Sequence, residues 1–342
     1  MKVALLGLSQ AGKRTLFTLL TGRHVPESRK EDECVEGHAP VRDPRVDTIS
    51  AMVKPQKTKY ADTVFSLCPD ISEGSNERFW LETARRCELI CMVVRSFSSD
   101  VVYHARGTVD PARDRANLET ELMLADLELV EKRLERIGKE KRAGQNHLQV
   151  VEERTLQKCK QAIESEQKPG TLKLDQEENA SLRSLGLLTL KPVIWAYNVD
   201  EKDVKDDGVD PVTISCKIEQ EIMAIEDAEE RKQFLEGLGL SSPGIDRMNR
   251  AVYDTLGLMS FYTMGADEVR AWTIRKGSVA PVAAGKIHTD IERGFIRVEI
   301  IKYDDLISAG SESAVKAQGK IQLKGKDYVI EDGDICNFRF NV

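Results

Sequence analysis

The sequence has no run of about 18 apolar residues, which excludes a membrane-spanning helix of ordinary length. The opening MKVALLGL is too short for a signal peptide and passes straight into a glycine-rich motif, so an unexported, cytoplasmic protein with no membrane contact is expected. There is no Cys-x-x-Cys pair. The 7 cysteines (34, 68, 87, 91, 159, 216 and 336) are scattered, with no histidine at ligand spacing, and are expected as reduced thiols rather than a zinc site. Positive charge is not in surplus either. A net charge of -7 excludes bulk nucleic-acid affinity from charge alone, so any RNA contact has to be local.

What is present is enough for folded domains: 342 residues, 41% of them hydrophobic, suffice for two or three cores. Short apolar runs rich in β-branched residues (Val3 to Leu6, Thr63 to Leu67, Leu89 to Val94, Val193 to Tyr197, Val212 to Ile214) alternate with helical stretches, as a parallel sheet covered by helices requires. From about Glu119 to Ser184 the strand signal stops. Leu127, Val130, Leu134 and Ile137 repeat at helical spacing. After a polar break at Ala143 to Asn146, Leu148, Val151, Leu156, Cys159 and Ile163 continue the pattern, predicting a helical hairpin. Beyond Leu258 the texture changes to short alternating strands such as Phe295 to Ile301 and Tyr328 to Ile330, separated by turns at Lys324-Gly325-Lys326 and Glu331-Asp332-Gly333.

KVALLGLSQAGKRTLFTLLTG reads as strand, glycine turn and apolar-periodic helix. Backbone N–H groups at such a helix start can cradle phosphates while a lysine reaches their oxygens, and Gly7, Gly12 and Lys13 fit that GxxxxGK layout. Gln10, Ala11, Gly12, Lys13, Arg14 and Thr15 are therefore candidate phosphate-binding residues. The position after the lysine calls for a Ser or Thr hydroxyl on Mg²⁺ but holds Arg14. Lys13 at a first helical turn opposes the helix dipole, which points to an anion there. Further along, Asn198-Val199-Asp200-Glu201 stands where a guanine reader would carry NKxD, and Ser215-Cys216-Lys217 follows the next strand where a base-contacting loop belongs. Without the stacking lysine, and with Glu201 in place of Asp, the pattern weakens the case for guanine. Asn198, Val199, Glu201, Ser215, Cys216 and Lys217 are the candidate base-binding residues.

With these motifs in view, the chain resembles the YchF or Obg-like ATPase family. Its markers are DPRVD at 43–47, VKPQK at 53–57, ADLELVEKRLER at 125–136, KPVIWAYNVDE at 191–201, PGIDRMNRAVYDTLGL at 243–258, EVRAWTIRKG at 268–277, HTDIERGFIRVEII at 288–301 and DGDICNFRFNV at 332–342. The resemblance implies an α/β fold: a Ras-like P-loop nucleotide-binding domain with an inserted helical hairpin, and a C-terminal β-grasp (TGS) domain. The expected boundaries are 1–118 with 188–257, 119–187 for the coiled-coil arm, and 258–342, the last folding on its own. It also implies a purine nucleotide as ligand, ATP favoured over GTP, and association with the ribosome or its large subunit. RNA contact would run through the terminal domain (Arg270, Arg275, Lys276, Lys286, Arg293 and Arg297 beside Trp272 and Phe295) or through the charged arm at 131–142.

The departures from the family gather at the chemistry. Where the family reads GLPNVGKST, this chain reads GLSQAGKRT. Glu31 to Gly37 contains no Thr or Ser for the first switch, and Asp70 is followed by Ile71, Ser72 and Glu73 in a loop cut short before Asn76. Mg²⁺ thus loses its protein ligands, Asp70 keeping at most an indirect role. Glu73 and Glu77 are expected as solvated charges. Weak or absent hydrolysis is expected. The alternatives are an ATPase or GTPase working through a rearranged site and a ribosome- or RNA-binding scaffold with a closed pocket. Arg14 is expected to fill the metal's space and pair with Asp70.

Overall fold

The computed structural model describes residues 1–26, 30, 32–72, 74, 77–104, 106–141, 146–205 and 212–341. The expected positions Glu31, Glu73, Asn76, Arg142 and 143–145 lie outside them, as does Val342. The chain divides into two compact units, one of Met1–His38 with Val64–Met248, the other of Ala39–Thr63 with Asn249–Val342. No helix among the described residues is long and apolar enough to cross a membrane.

In chain order the first elements are β1 (Lys2–Gly7), α1 (Lys13–Thr21), β2 (Val35–Val41), α2 (Pro44–Val53), β3 (Lys57–Lys59), β4 (Ala61–Leu67), α3 (Leu81–Arg86) and β5 (Leu89–Arg95). Then come α4 (Pro111–Glu140), α5 (His147–Glu164), α6 (Gln176–Leu182), β6 (Val193–Asn198), β7 (Val212–Ile214), α7 (Cys216–Ala224), α8 (Ala228–Gly237) and α9 (Gly244–Thr255). The sheet of the first unit has the order β2-β4-β1-β5-β6-β7, and every pairing from β4 to β7 is parallel. A parallel sheet buried on both faces needs continuous apolar strands, and all seven residues of β5 are buried. Because β1 lies between β4 and β5, strand order reverses at its carboxyl end, where open α/β sheets bind their ligands. The five apolar runs of the sequence are all strands of this sheet.

The insertion is helical, as its spacing predicts. Asp110 caps α4 by accepting from the Arg113 amide, and Asn146 and Gln149 form a reciprocal capping box on α5. Val130, Ile137, Leu156 and Cys159 share a core with Leu182 and Leu187, so α6 joins the two long helices. Leu148, expected on the apolar face, is 67% exposed in the first turn of α5. The root of the arm is fixed by Asp126, a fully buried carboxylate that accepts from the amides of Leu188 (3.0 Å) and Thr189 (2.8 Å) and from the Thr189 hydroxyl (2.7 Å).

The second unit adds β8 (Leu258–Met264), β9 (Glu268–Arg275), α10 (Ala280–Ile287), α11 (Thr289–Arg293), β10 (Phe295–Lys302), α12 (Tyr303–Ala309), α13 (Glu312–Ala317), β11 (Gln322–Lys324) and β12 (Asp334–Phe340). Its sheet runs β11-β10-β12-β8-β9-β3. Tyr328 to Ile330, expected as a strand, contributes only an isolated bridge between Val279 and Val329. One face of the sheet packs Phe261, Ile274, Val298 and Phe338 against Ala280, Ala283 and Ala284 of α10. The other packs Tyr262, Val269, Ile301 and Ile335 against Val46 and Ile49 of α2.

Thus residues 39–63 supply part of this unit's core. β3 pairs parallel with β9, Lys57 opposite Glu268 and Lys59 opposite Arg270. Asp43 accepts from the Arg45 amide (3.0 Å), from its guanidinium (3.0 Å) and from the Tyr262 hydroxyl, while Arg45 also reaches Asp332 at 2.7 Å. Burial alone would raise the Asp43 carboxyl, but its bonds from Arg45 and Tyr262 and the Arg45 charge hold it below the usual carboxylate range. The sequence suggested that the chain from Leu258 folds alone. Val46 and Ile49, both fully buried, argue against it, since removing them bares one face of the sheet. A fragment of residues 258–342 should therefore melt well below a polypeptide that joins 39–63 to 249–342, and Ile49→Ala in the latter should cost about 2–5 kcal/mol in urea denaturation. Equal stability of the two polypeptides would show that α2 and β3 are dispensable.

Candidate functional site

The loop between β1 and α1 owes its shape to glycine and to close packing. Gly12, the residue before α1, has φ +95°, and a Cβ there would stand 2.3 Å from the Asn198 side-chain nitrogen. Gln10 also takes a positive φ, 59°. Ala11 is buried and Gln10 exposed. Lys13 and Arg14 open α1, whose first turn carries no acidic residue, so two cations face the positive end of the helix dipole. Lys13 is 5% exposed, and its ammonium donates to the carbonyls of Gly7 (2.7 Å) and Leu8 (2.9 Å) and to the Asp70 carboxylate. Thr15 is half-buried. A cavity of about 570 Å³ lies against this loop, lined by residues 9–15 and, opposite them, by Asp70, Ser72, Glu77 and Phe79.

The expected Arg14–Asp70 pair gives way to Lys13–Asp70. The reason is desolvation: a buried ammonium has lost its water and must be met by protein acceptors, whereas exposed Arg14 keeps its hydration. Burial alone would raise the Asp70 carboxyl. The charge and hydrogen bond of Lys13, a bond from Ser9 and the charge of Arg14 outweigh it and hold the carboxyl below its usual range.

The second candidate group is joined to the first by Asn198. Its side-chain nitrogen donates to the Ala11 carbonyl (3.2 Å) and its oxygen accepts from the Cys216 amide (3.1 Å), so one buried side chain ties the phosphate loop to the start of α7. Val199 is buried, its amide donating to the Ile214 carbonyl at 2.9 Å. Ser215 and Cys216 are buried, and burial pushes the Cys216 thiol up to about 12, which makes it a packing group rather than a nucleophile. Glu201 and Lys217 are exposed. Sequence reading missed a buried pair beside the loop: His104 Nε2 lies 3.0 Å from Asp114, and both line a narrow recess with Leu8, Ser9 and Ala11. A single histidine directly after Val101-Val102-Tyr103 carries no spacing signal that could have singled it out.

Comparison with known proteins places this arrangement. The "Ribosome-binding ATPase YchF" of Bacillus subtilis is 37% identical over 99% of this chain and 98% of its own length. The protein of the same name from Escherichia coli O157:H7 is 37% identical over 100% and 99%. The chain belongs to the YchF family. The family model YchF-GTPase_C, described as "Protein of unknown function (DUF933)", matches residues 258–341. The solved structure of the Schizosaccharomyces pombe YchF GTPase superposes with a TM-score of 0.82 at 30% identity, covering 99% of this chain and 97% of that one. The YchF fold is therefore the one expected: a P-loop α/β domain with a helical insertion and a TGS-like C-terminal domain.

The Mg²⁺ that a YchF phosphate site implies does not fit the residues found here. Arg14, a cation, holds the position of the hydroxyl ligand, and the Asp70 carboxylate is engaged by Lys13. For the loop itself, Asn198→Ala should cost about 1–3 kcal/mol, because the buried Cys216 amide loses its acceptor. Equilibrium unfolding measures this, and an unchanged midpoint would mean that the loop is held by other contacts.

Proposed function

We propose that this protein is a purine-nucleotide-binding, ribosome-associated member of the YchF family in which hydrolysis of the nucleotide is very slow or absent, and that it works in the cytoplasm. The observation that carries the reading is the pairing of an intact glycine loop and buried Lys13 with the loss of the metal's protein ligands. In phosphoryl transfer the metal neutralises charge that develops between the β and γ oxygens, and little other chemistry is left to the protein. A site that keeps the cradle and loses the metal ligands retains binding and gives up most of the rate. The relatives' names support nucleotide and ribosome as ligand and partner.

Adenine is the favoured base, since Asn198 has no lysine beside it to stack on the ring and the acidic position is the exposed Glu201. Phosphate release by the purified protein should fall short of that of the Bacillus subtilis relative by about 10²–10³-fold, the loss that follows removal of electrostatic transition-state stabilisation. ATP should bind more tightly than GTP in calorimetry. Turnover equal to the relative's would establish the rearranged-site ATPase instead, and GTP binding as tight as ATP binding would remove the adenine assignment.

For the partner, the C-terminal unit offers Arg275, Lys276, Lys286, Arg293 and Arg297, all exposed, whereas Arg270 is stacked 3.9 Å over the Trp272 ring. Phe295, expected beside these cations, is buried in the core and Trp272 is half-buried, so exposed basic side chains rather than aromatics would make a shape-reading contact with folded RNA or a ribosomal protein. Charge reversal at Arg275, Lys286 and Arg297 together should weaken ribosome co-sedimentation and flatten its salt dependence. Unchanged sedimentation would move the contact to the helical arm.

A further inference from the structure

We infer that this site takes the phosphate chain of a nucleotide as a metal-free anion, held by the Lys13 ammonium and the Arg14 guanidinium, with the Asp70 carboxylate as the internal anion that phosphate displaces. The inference rests on the nucleotide-binding reading above and concerns how that ligand is held.

Three observations converge on it. First, α1 begins with two adjacent cations and no acidic residue in its first turn, which is unfavourable against the helix dipole unless an anion sits beyond the helix start. Asp70 meets that need: it bonds Lys13, and the Arg14 charge also acts on it. Second, Asp70 is only half-buried, its side chain 48% exposed, while Lys13 is 5% exposed. The carboxylate can therefore be replaced from the cavity side, and the ammonium cannot follow it out into water. Third, Arg14 is exposed and lines the same cavity, so its guanidinium is free to turn onto a phosphate and bind two of its oxygens at once.

A divalent cation would have to enter beside these two positive groups. Mg²⁺ requires near-octahedral oxygen ligands, and the one carboxylate near the loop that the family would leave beside the metal is already bonded to Lys13. The protein's own cations therefore take over the neutralising role. The contacts that single out a γ-phosphate in a metal-dependent site are largely absent, so ATP and ADP should bind with similar affinity.

The test is an equilibrium titration of the full chain with ATP, ADP and inorganic tripolyphosphate, each in excess Mg²⁺ and in EDTA. Chelation should change each affinity by less than about threefold, and ATP and ADP should agree within about tenfold. Arg14 is exposed, so Arg14→Ser should leave the fold intact, weaken binding in EDTA by about tenfold or more and make it respond to Mg²⁺. Asp70→Asn should tighten binding in EDTA, because the competing internal anion is gone. Binding that falls by about a hundredfold in EDTA, or an Arg14→Ser variant indistinguishable from wild type, would overturn this inference while leaving nucleotide binding in place. Failure of all three ligands to bind under both conditions would overturn the nucleotide-binding reading and this inference together.

Discussion

A buried ammonium at the start of a helix has to be met by acceptors, and the geometry of the site follows from how Lys13 satisfies that need. Two carbonyls of the glycine loop take two of its protons, and Asp70, just past the end of β4, takes the third. The lysine thereby fixes the loop against its own backbone and the following carboxylate against the loop. Under the proposed reading Asp70 is the acceptor that a phosphate has to displace, so the interaction that completes the lysine's shell is also the one that a ligand has to replace.

The loop is held from its other side by Asn198, whose amide spends its donor on Ala11 and its acceptor on Cys216. Gly12 is required where it is because any side chain there would collide with that amide. These contacts do not depend on a metal, which is why a fold of this kind can keep its phosphate cradle while the residues that would serve a metal change. In the second unit a comparable economy operates through Asp43 and Arg45. One carboxylate caps α2, receives the Tyr262 hydroxyl and neutralises an arginine that also reaches Asp332.

Much of this was legible in the sequence. The strands of the first sheet are unbroken apolar runs because a parallel sheet is buried on both faces. The insertion shows helical spacing over α4 and α5, and the glycine loop carries its residues in fixed order. The short C-terminal strands were partly legible, Tyr328 to Ile330 falling short of a strand. Leu148 was misplaced because the spacing of apolar residues does not reveal where a helix begins to face solvent. The His104–Asp114 pair went unseen because its members are ten residues apart with no repeating spacing and meet only through the fold.

The sequence by itself determined the strand-turn-helix of the phosphate loop, the loss of the hydroxyl after Lys13 and the alternation of strands and helices, since each is a property of neighbouring residues. Only the tertiary structure decided that Asp70 belongs to Lys13 rather than to Arg14. Adjacent cations in sequence compete equally for a distant carboxylate until burial strips the water from one of them. It likewise decided that residues 39–63 complete the core of the C-terminal unit. Val46 and Ile49 are ordinary helical apolar positions in sequence, and which sheet they cover is settled by packing across about two hundred intervening residues, a separation at which local pattern carries no information.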